Sequence, residues 1–167
     1  YGAIGSLHDY FYAQSNGKLD LTFDVVGPLT LPHTYSYYGQ NDAYRNDANT
    51  FEMVADACQM ADTVRKDLNW KDYDWDNDGV VDQVYVIYAG PGEATGGSSS
   101  TVWPAASSFD DWNAYVAQYG GTAYNLAFDG VRINSFAYGN EINGAPSSTT
   151  PMGIGVMAHE FSHCLGF

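Results

Sequence analysis

Cationic residues are scarce in this chain. Of 167 residues only 6 are Lys or Arg, against 20 Asp or Glu, so the formal net charge is −14 and the pI about 4.1. Neutralising nucleic-acid phosphates takes lysine and arginine. A nucleic-acid partner is therefore excluded, and an acidic membrane surface would repel the chain. Long apolar runs are missing too: none approaches the roughly 18 residues that span a bilayer. No signal-peptide pattern is present. The chain opens at Tyr1 inside what reads as a helix, so the true N-terminus is expected further upstream. Cysteine is limited to Cys58 and Cys164, which can pair as one disulfide or remain two thiols; deciding between these needs their separation. The glycine-rich stretch Gly90–Ser100 (GPGEATGGSSS) reads as a flexible loop and lacks the Gly-Lys-Ser/Thr of a phosphate cradle.

What remains is apolar and aromatic. Hydrophobic residues make up 45% of the chain, enough for the core of one domain or a large part of one. Fourteen tyrosines and many Gly and Asn residues suggest an extracytoplasmic, secreted protein, and the acidity fits a soluble one that binds calcium. A monomer is expected.

In chain order, Ile4 to Ser15 reads as a helix with Ile4, Leu7 and Tyr10/Phe11 on one face, stopped at Asn16-Gly17. Leu19 to Val26 alternates (Leu19, Leu21, Phe23, Val25) as a strand should, with a resumption at Leu29–Leu31 after Gly27-Pro28. His33 to Asn49 reads as a long loop. A helix capped by Asn49 or Thr50 is expected to run to about Leu68, with Phe51, Val54/Ala55, Cys58, Ala61 and Leu68 as its apolar stripe. Val84 to Ala89 is apolar on both faces, which predicts a central strand. Thr101 to Pro104 reads as an edge strand. Tyr124–Phe128 and Val131–Tyr138, joined by Asp129-Gly130, predict a hairpin. Asn140 to Thr150 reads as a polar loop, and Pro151 as the start of the final helix.

That last helix carries the most informative residues, His159 to Phe167 (HEFSHCLGF). His159 and His163 are four apart, so on an α-helix they share a face. Two imidazoles so placed can hold one zinc ion at roughly 2.0–2.1 Å each. Glu160 lies beside the first histidine, near the metal without being a natural ligand. It can take a proton from a zinc-bound water whose pKa has fallen to about 7. Gly166, three residues past the second histidine, can end the helix in a left-handed turn. In the longer metzincin pattern a third ligand follows that Gly, and it is expected beyond Phe167. Glu141 as a third ligand is the weaker reading; a solvated loop carboxylate is preferred. Cys164 points away from His163 round the helix and reads as packing.

A second stretch, Asp72–Asp82 (DYDWDNDGVVD), sets Asp74, Asp76 and Asp78 at alternate positions before Gly79. This is the first half of a calcium loop, with the Val80 carbonyl and Asp82 completing the ligands. Tyr85 stands where a full EF-hand has its bidentate Glu, so the loop leads into a strand instead. Without an ion the stretch would be an acidic turn whose carboxylates repel one another.

Several segments together give the chain a family likeness. They are SLHDYFYAQSNGKLDL, YYG at Tyr37–Gly39, DYDWDNDGVVDQVYVIYAGPGEATGG, TVWP, NSFAYGNEING and GIGVMAHEFSHCLGF. The sequence resembles the immune inhibitor A family of secreted bacterial metallopeptidases. The resemblance implies a zinc-dependent endopeptidase with bound calcium. It makes His159 and His163 the zinc ligands and Glu160 the catalytic carboxylate. Asp74, Asp76, Asp78 and Asp82 fall on the family's acidic loop. Family members usually continue Leu-Pro-Asp after the Gly, and Phe167 stands where that Leu would be.

The expected fold is α/β, a zincin- or metzincin-like upper subdomain. A twisted mixed sheet carries covering helices, and the HExxH helix floors a cleft. Residues 1–167 would form one partial catalytic domain whose C-terminal subdomain lies outside it. Protein or peptide substrates would pair with an edge strand near Trp103 or within Gly90–Gly97. The rival reading is a calcium-stabilised extracellular binding module of peptidase descent without activity.

Overall fold

The computed structural model describes residues 5–167; Ile4, expected on the first helix, lies outside them. The helices are α1 (Leu7–Gln14), α2 (Tyr35–Tyr38), α3 (Thr50–Val64), α4 (Phe109–Tyr119) and α5 (Ile154–Cys164). The strands are β1 (Val80–Val81), β2 (Val84–Pro91), β3 (Ala105–Ser108), β4 (Ala127–Phe128), β5 (Val131–Ile133) and β6 (Ser135–Ile142).

Two three-stranded mixed sheets result. In the larger, ordered β2-β6-β3, β2 runs parallel and β3 antiparallel to β6. In the smaller, ordered β1-β5-β4, β1 is parallel and β4 antiparallel to β5. The expected mixed α/β fold is present.

Strand alternation gives the larger sheet two distinct faces. Val84, Val86, Phe136 and Tyr138 join one core, which α3 closes with Met53, Val54, Ala55 and Cys58. Tyr85 points the other way and packs with Leu7, Phe11, Leu21, Ala158 and Phe161 of a second core under α1 and α5. On that second face β6 sets Ala137 and Gly139 opposite Tyr85 and Ile87. Ala137 is fully buried there, while Gly139 faces the Tyr85 ring and lines a cavity with Ile154, Val156 and Met157 of α5. The layers are thus α3, sheet, then α5 with α1. Cys58 and Cys164 belong to helices on opposite faces, and both are free thiols.

Several expectations are corrected. The first helix begins at Leu7, because Ser6 caps it: its Oγ accepts the Asp9 N–H and Asp9 accepts the Ser6 N–H in return. Leu19–Val26 and Leu29–Leu31 form no strand. Alternation alone does not supply a ladder partner, and of the four apolar residues Leu21 is buried while Phe23 is 46% and Val25 85% exposed. The third helix stops at Val64, short of Leu68, and the Asn49 amide donates to the Tyr37 carbonyl instead of capping it. β2 is an edge strand among the described residues; the central strand is β6. Apolarity along β2 reports the cores that Val84, Val86, Tyr88 and Tyr85 join, not ladder neighbours, and Ile87 is exposed. Thr101–Pro104 is not a strand, since the edge falls just beyond it at Ala105–Ser108. Tyr124 lies outside the hairpin, whose strands are Ala127–Phe128 and Val131–Ile133, joined by Asp129 (φ 51°) and Gly130 (φ 88°). The Gly90–Ser100 loop is tied down: Gly97 N–H donates to the Gly92 carbonyl and Glu93 N–H to that of Val102. The final helix begins at Ile154; Pro151 bridges to Ile142 instead.

Candidate metal centre

Helix α5 is held by its apolar side. Ala158 and Phe161 are buried against Leu7, Phe11 and Leu21. The Phe161 ring meets Phe11 at 5.3 Å and Phe23 at 5.8 Å between centroids. Its C-terminus closes as the sequence requires. Gly166 adopts φ 87°, its N–H donates to the His163 carbonyl, and the Phe167 N–H donates to that of Ser162. That pair of bonds is a Schellman closure, which a left-handed Gly makes possible.

His159 and His163 come out exposed on one face, with Nε2 atoms 3.3 Å apart. One ligand atom from each of His159, Glu160 and His163 lies within 4.8 Å of the others. His163 Nδ1 sits 2.9 Å from the Phe167 carbonyl. Donation there places the ring proton on Nδ1 and leaves the Nε2 lone pair facing His159, the usual second-sphere arrangement of a ligating imidazole. With zinc–nitrogen bonds of about 2.0–2.1 Å, a 3.3 Å separation corresponds to an angle of about 104–111° at the ion, which brackets the tetrahedral value. The donor set fits zinc.

Glu160 is buried between these rings and the sheet. Burial pushes its carboxyl above the usual range, while the two histidines pull it back down. Tyr85 across the interface is raised mainly by burial and then by the Glu160 charge, which marks the two as neighbours. Sequence reading did not find Tyr85 or the Phe167 carbonyl. Strand alternation carried a signal for the first; nothing local signalled the second. Glu141 is exposed on the end of β6, accepting the Gly90 N–H at 3.3 Å, and is not part of this group.

The aspartate loop is also ordered by its own backbone. Asp74 accepts the Asp78 and Gly79 N–H groups at 3.0 Å each, Asp76 accepts Asp78 N–H at 3.1 Å, and Asp78 accepts Val80 N–H at 2.8 Å. Asn77 (φ 60°) and Gly79 (φ 88°) make the sharp turn. Asp74, Asp76 and Asp78 bring carboxylate oxygens within 4.8 Å of one another. Asp82 stands outside that triad, its carboxylate accepting the Trp75 N–H at 2.7 Å, and Val80 enters the β1 ladder.

An imidazole pair and a carboxylate on one helix, laid against a mixed sheet, define a zincin-like metallopeptidase catalytic domain. Residues 2–167 match the family described as immune inhibitor A peptidase M6, catalytic domain, and the chain belongs to that family. It is 26% identical over 183 residues to immune inhibitor A of Bacillus thuringiensis subsp. alesti, covering 98% of this chain and 25% of that protein. It is 26% identical over 182 residues to the pre-pro-metalloprotease PrtV of Vibrio cholerae serotype O1, covering 96% of this chain and 18% of that protein. The chain therefore spans a quarter or less of the length of these relatives.

Proposed function

We propose that this domain is the zinc-binding half of a secreted endopeptidase that hydrolyses protein substrates, with Glu160 as general base. The observation that carries the reading is the 3.3 Å approach of the two Nε2 atoms with the Glu160 carboxylate beside them. His159 and His163 supply two of the three protein ligands that a catalytic zinc uses. Zinc, when bound, lowers the pKa of a coordinated water and polarises the scissile carbonyl. Glu160 accepts the proton of the attacking water and returns it to the leaving amine. Its burial favours that role, because a raised carboxyl pKa brings the group closer to the operating pH. The Phe167 carbonyl holds the His163 ring in register.

An extended peptide would pair with the edge of β3 (Ala105–Ser108), just past Trp103; that edge has no ladder partner among the described residues, and α5 also packs on β3. Strand addition there would present a scissile bond to the helix. Calcium in the Asp74–Asp82 loop would cancel the charge of three converging carboxylates and fix the turn into β1. Among the described residues no helix is long and apolar enough to cross a membrane, and a secreted monomer accords with the charge.

The test is Glu160→Ala in the full-length protein, with zinc content and casein cleavage measured on the same sample. Zinc should be retained while turnover falls by about 10²-fold or more. Cleavage at the wild-type rate overturns the assignment.

A further inference from the structure

A second group of ligating side chains lies on the other side of the sheet, away from α5. We infer that His33, Glu52 and Asp56 form a structural site for a divalent transition metal such as zinc, clipping the irregular N-terminal segment to α3. One donor atom from each lies within 4.8 Å of the others. His33 Nε2 is 3.6 Å from Glu52 Oε1, against about 3.4 Å for two ligands bonded to one tetrahedral zinc at about 2.1 Å.

The surroundings are arranged as ligands usually are. The Tyr37 hydroxyl donates to Glu52 Oε2 at 2.8 Å, and the Tyr38 hydroxyl donates to Asp56 Oδ2 at 2.6 Å. Each carboxylate thus has one oxygen held by a tyrosine and the other left over, the outer-sphere pattern that orients metal-binding carboxylates. The His33 ring is fixed as well. It stacks on Tyr37 at 4.2 Å and meets Tyr38 edge-on at 5.8 Å. Tyr38 itself is buried.

Charge points the same way. Glu52 and Asp56 are four apart on α3, where like charges repel. Among the described residues no Lys or Arg forms an ion pair with either. A divalent cation held by all three side chains compensates both carboxylates. One nitrogen and two carboxylate oxygens suit zinc or its first-row neighbours. The clip has a structural purpose. Residues 18–32 form no helix or strand, yet Val26, Leu29 and Leu31 pack on the main core. A bond from His33 to α3 would secure the end of that segment without a ladder.

The site is independent of His159 and His163, so it is tested in the His159→Ala/His163→Ala double variant, with millimolar calcium present to occupy the aspartate loop. Equilibrium dialysis against zinc should leave one zinc per chain. Adding His33→Ala should weaken that binding by about 100-fold. Tyr38→Phe, which removes only the hydroxyl on Asp56, should weaken it by about 10-fold. Glu52→Gln, which keeps an acceptor for Tyr37, should weaken it by about 100-fold, as His33→Ala does. Zinc bound equally with and without His33 overturns the inference. So does a double variant that binds no zinc while its circular dichroism and unfolding midpoint match the wild type.

Discussion

Phe161→Ala removes the side chain that fastens the metal helix to the rest of the domain. Phe161 is 2% exposed and touches Phe11 within one small core that also holds Leu7, Leu21 and Ala158, and it meets the half-exposed Phe23 ring at the rim of that core. Truncating a buried Phe loses its transfer energy and leaves a cavity, together about 3–5 kcal/mol. For a domain of ordinary stability, about 5–15 kcal/mol, that is a large fraction. The partner ring supplies an internal scale. Phe23 is 46% exposed, so Phe23→Ala should cost about 1–2 kcal/mol, the lost ring contact plus roughly half its burial. Val25 is 85% exposed, and Val25→Ala should stay within about 0.5 kcal/mol. Urea unfolding followed by circular dichroism measures all three. A strand over Leu19–Val26 would set Leu19, Leu21, Phe23 and Val25 on one buried face and make Val25→Ala as costly as Phe23→Ala. That result, or a Phe161→Ala loss under about 1 kcal/mol, would refute the packing described for α5.

Three further outcomes are expected. Burial pushes the Asp47 carboxyl up to about 6, while its bond from the Trp103 N–H pulls it down; the unfolded group titrates near 3.8, so the folded state holds the extra proton between these values and stability falls as pH rises from about 4 to about 6. Asp47→Asn, which mimics the protonated form, should stabilise the domain near neutral pH and lose that advantage near pH ~4 in matched melts; an unchanged difference across the range contradicts the assignment. Gly139→Ala would place a Cβ 2.6 Å from the Tyr85 hydroxyl, and a cost of about 1–3 kcal/mol should appear in the same unfolding assay; no cost would mean that the Tyr85 ring does not lie over Gly139. Calcium at about a hundred times its Kd should stabilise the wild type by about 2.7 kcal/mol, and Asp76→Asn/Asp78→Asn should remove the effect; identical melting with calcium and with chelator would leave the loop a hydrogen-bonded turn.

Local signals were legible in the sequence wherever one element carries the whole instruction. The i, i+4 histidines share a face of α5 as their spacing requires, and Gly166 gives its left-handed end. Asp129-Gly130 fixed the hairpin turn, and Asn16-Gly17 the end of α1. Strand neighbours were not legible, because apolarity reports burial and not which backbone supplies the ladder. Val84–Ala89 reads as central for that reason, although it is an edge strand whose Val84, Val86 and Tyr88 face the main core and whose Tyr85 joins the second, while Ile87 is exposed. Leu19–Val26 alternates, yet lies along the surface with only Leu21 buried. Groups assembled from distant segments were also hidden: His33 meets Glu52 and Asp56 only once the irregular segment folds over α3.

Anomalous diffraction at the zinc edge from crystals of the intact protein tests the metal centre most directly. The account predicts a peak bonded to His159 Nε2 and His163 Nε2, with the Glu160 carboxylate close by but outside bonding distance. A zinc ion ligated by Glu160, or no ion between the two rings in zinc-loaded crystals, would contradict it.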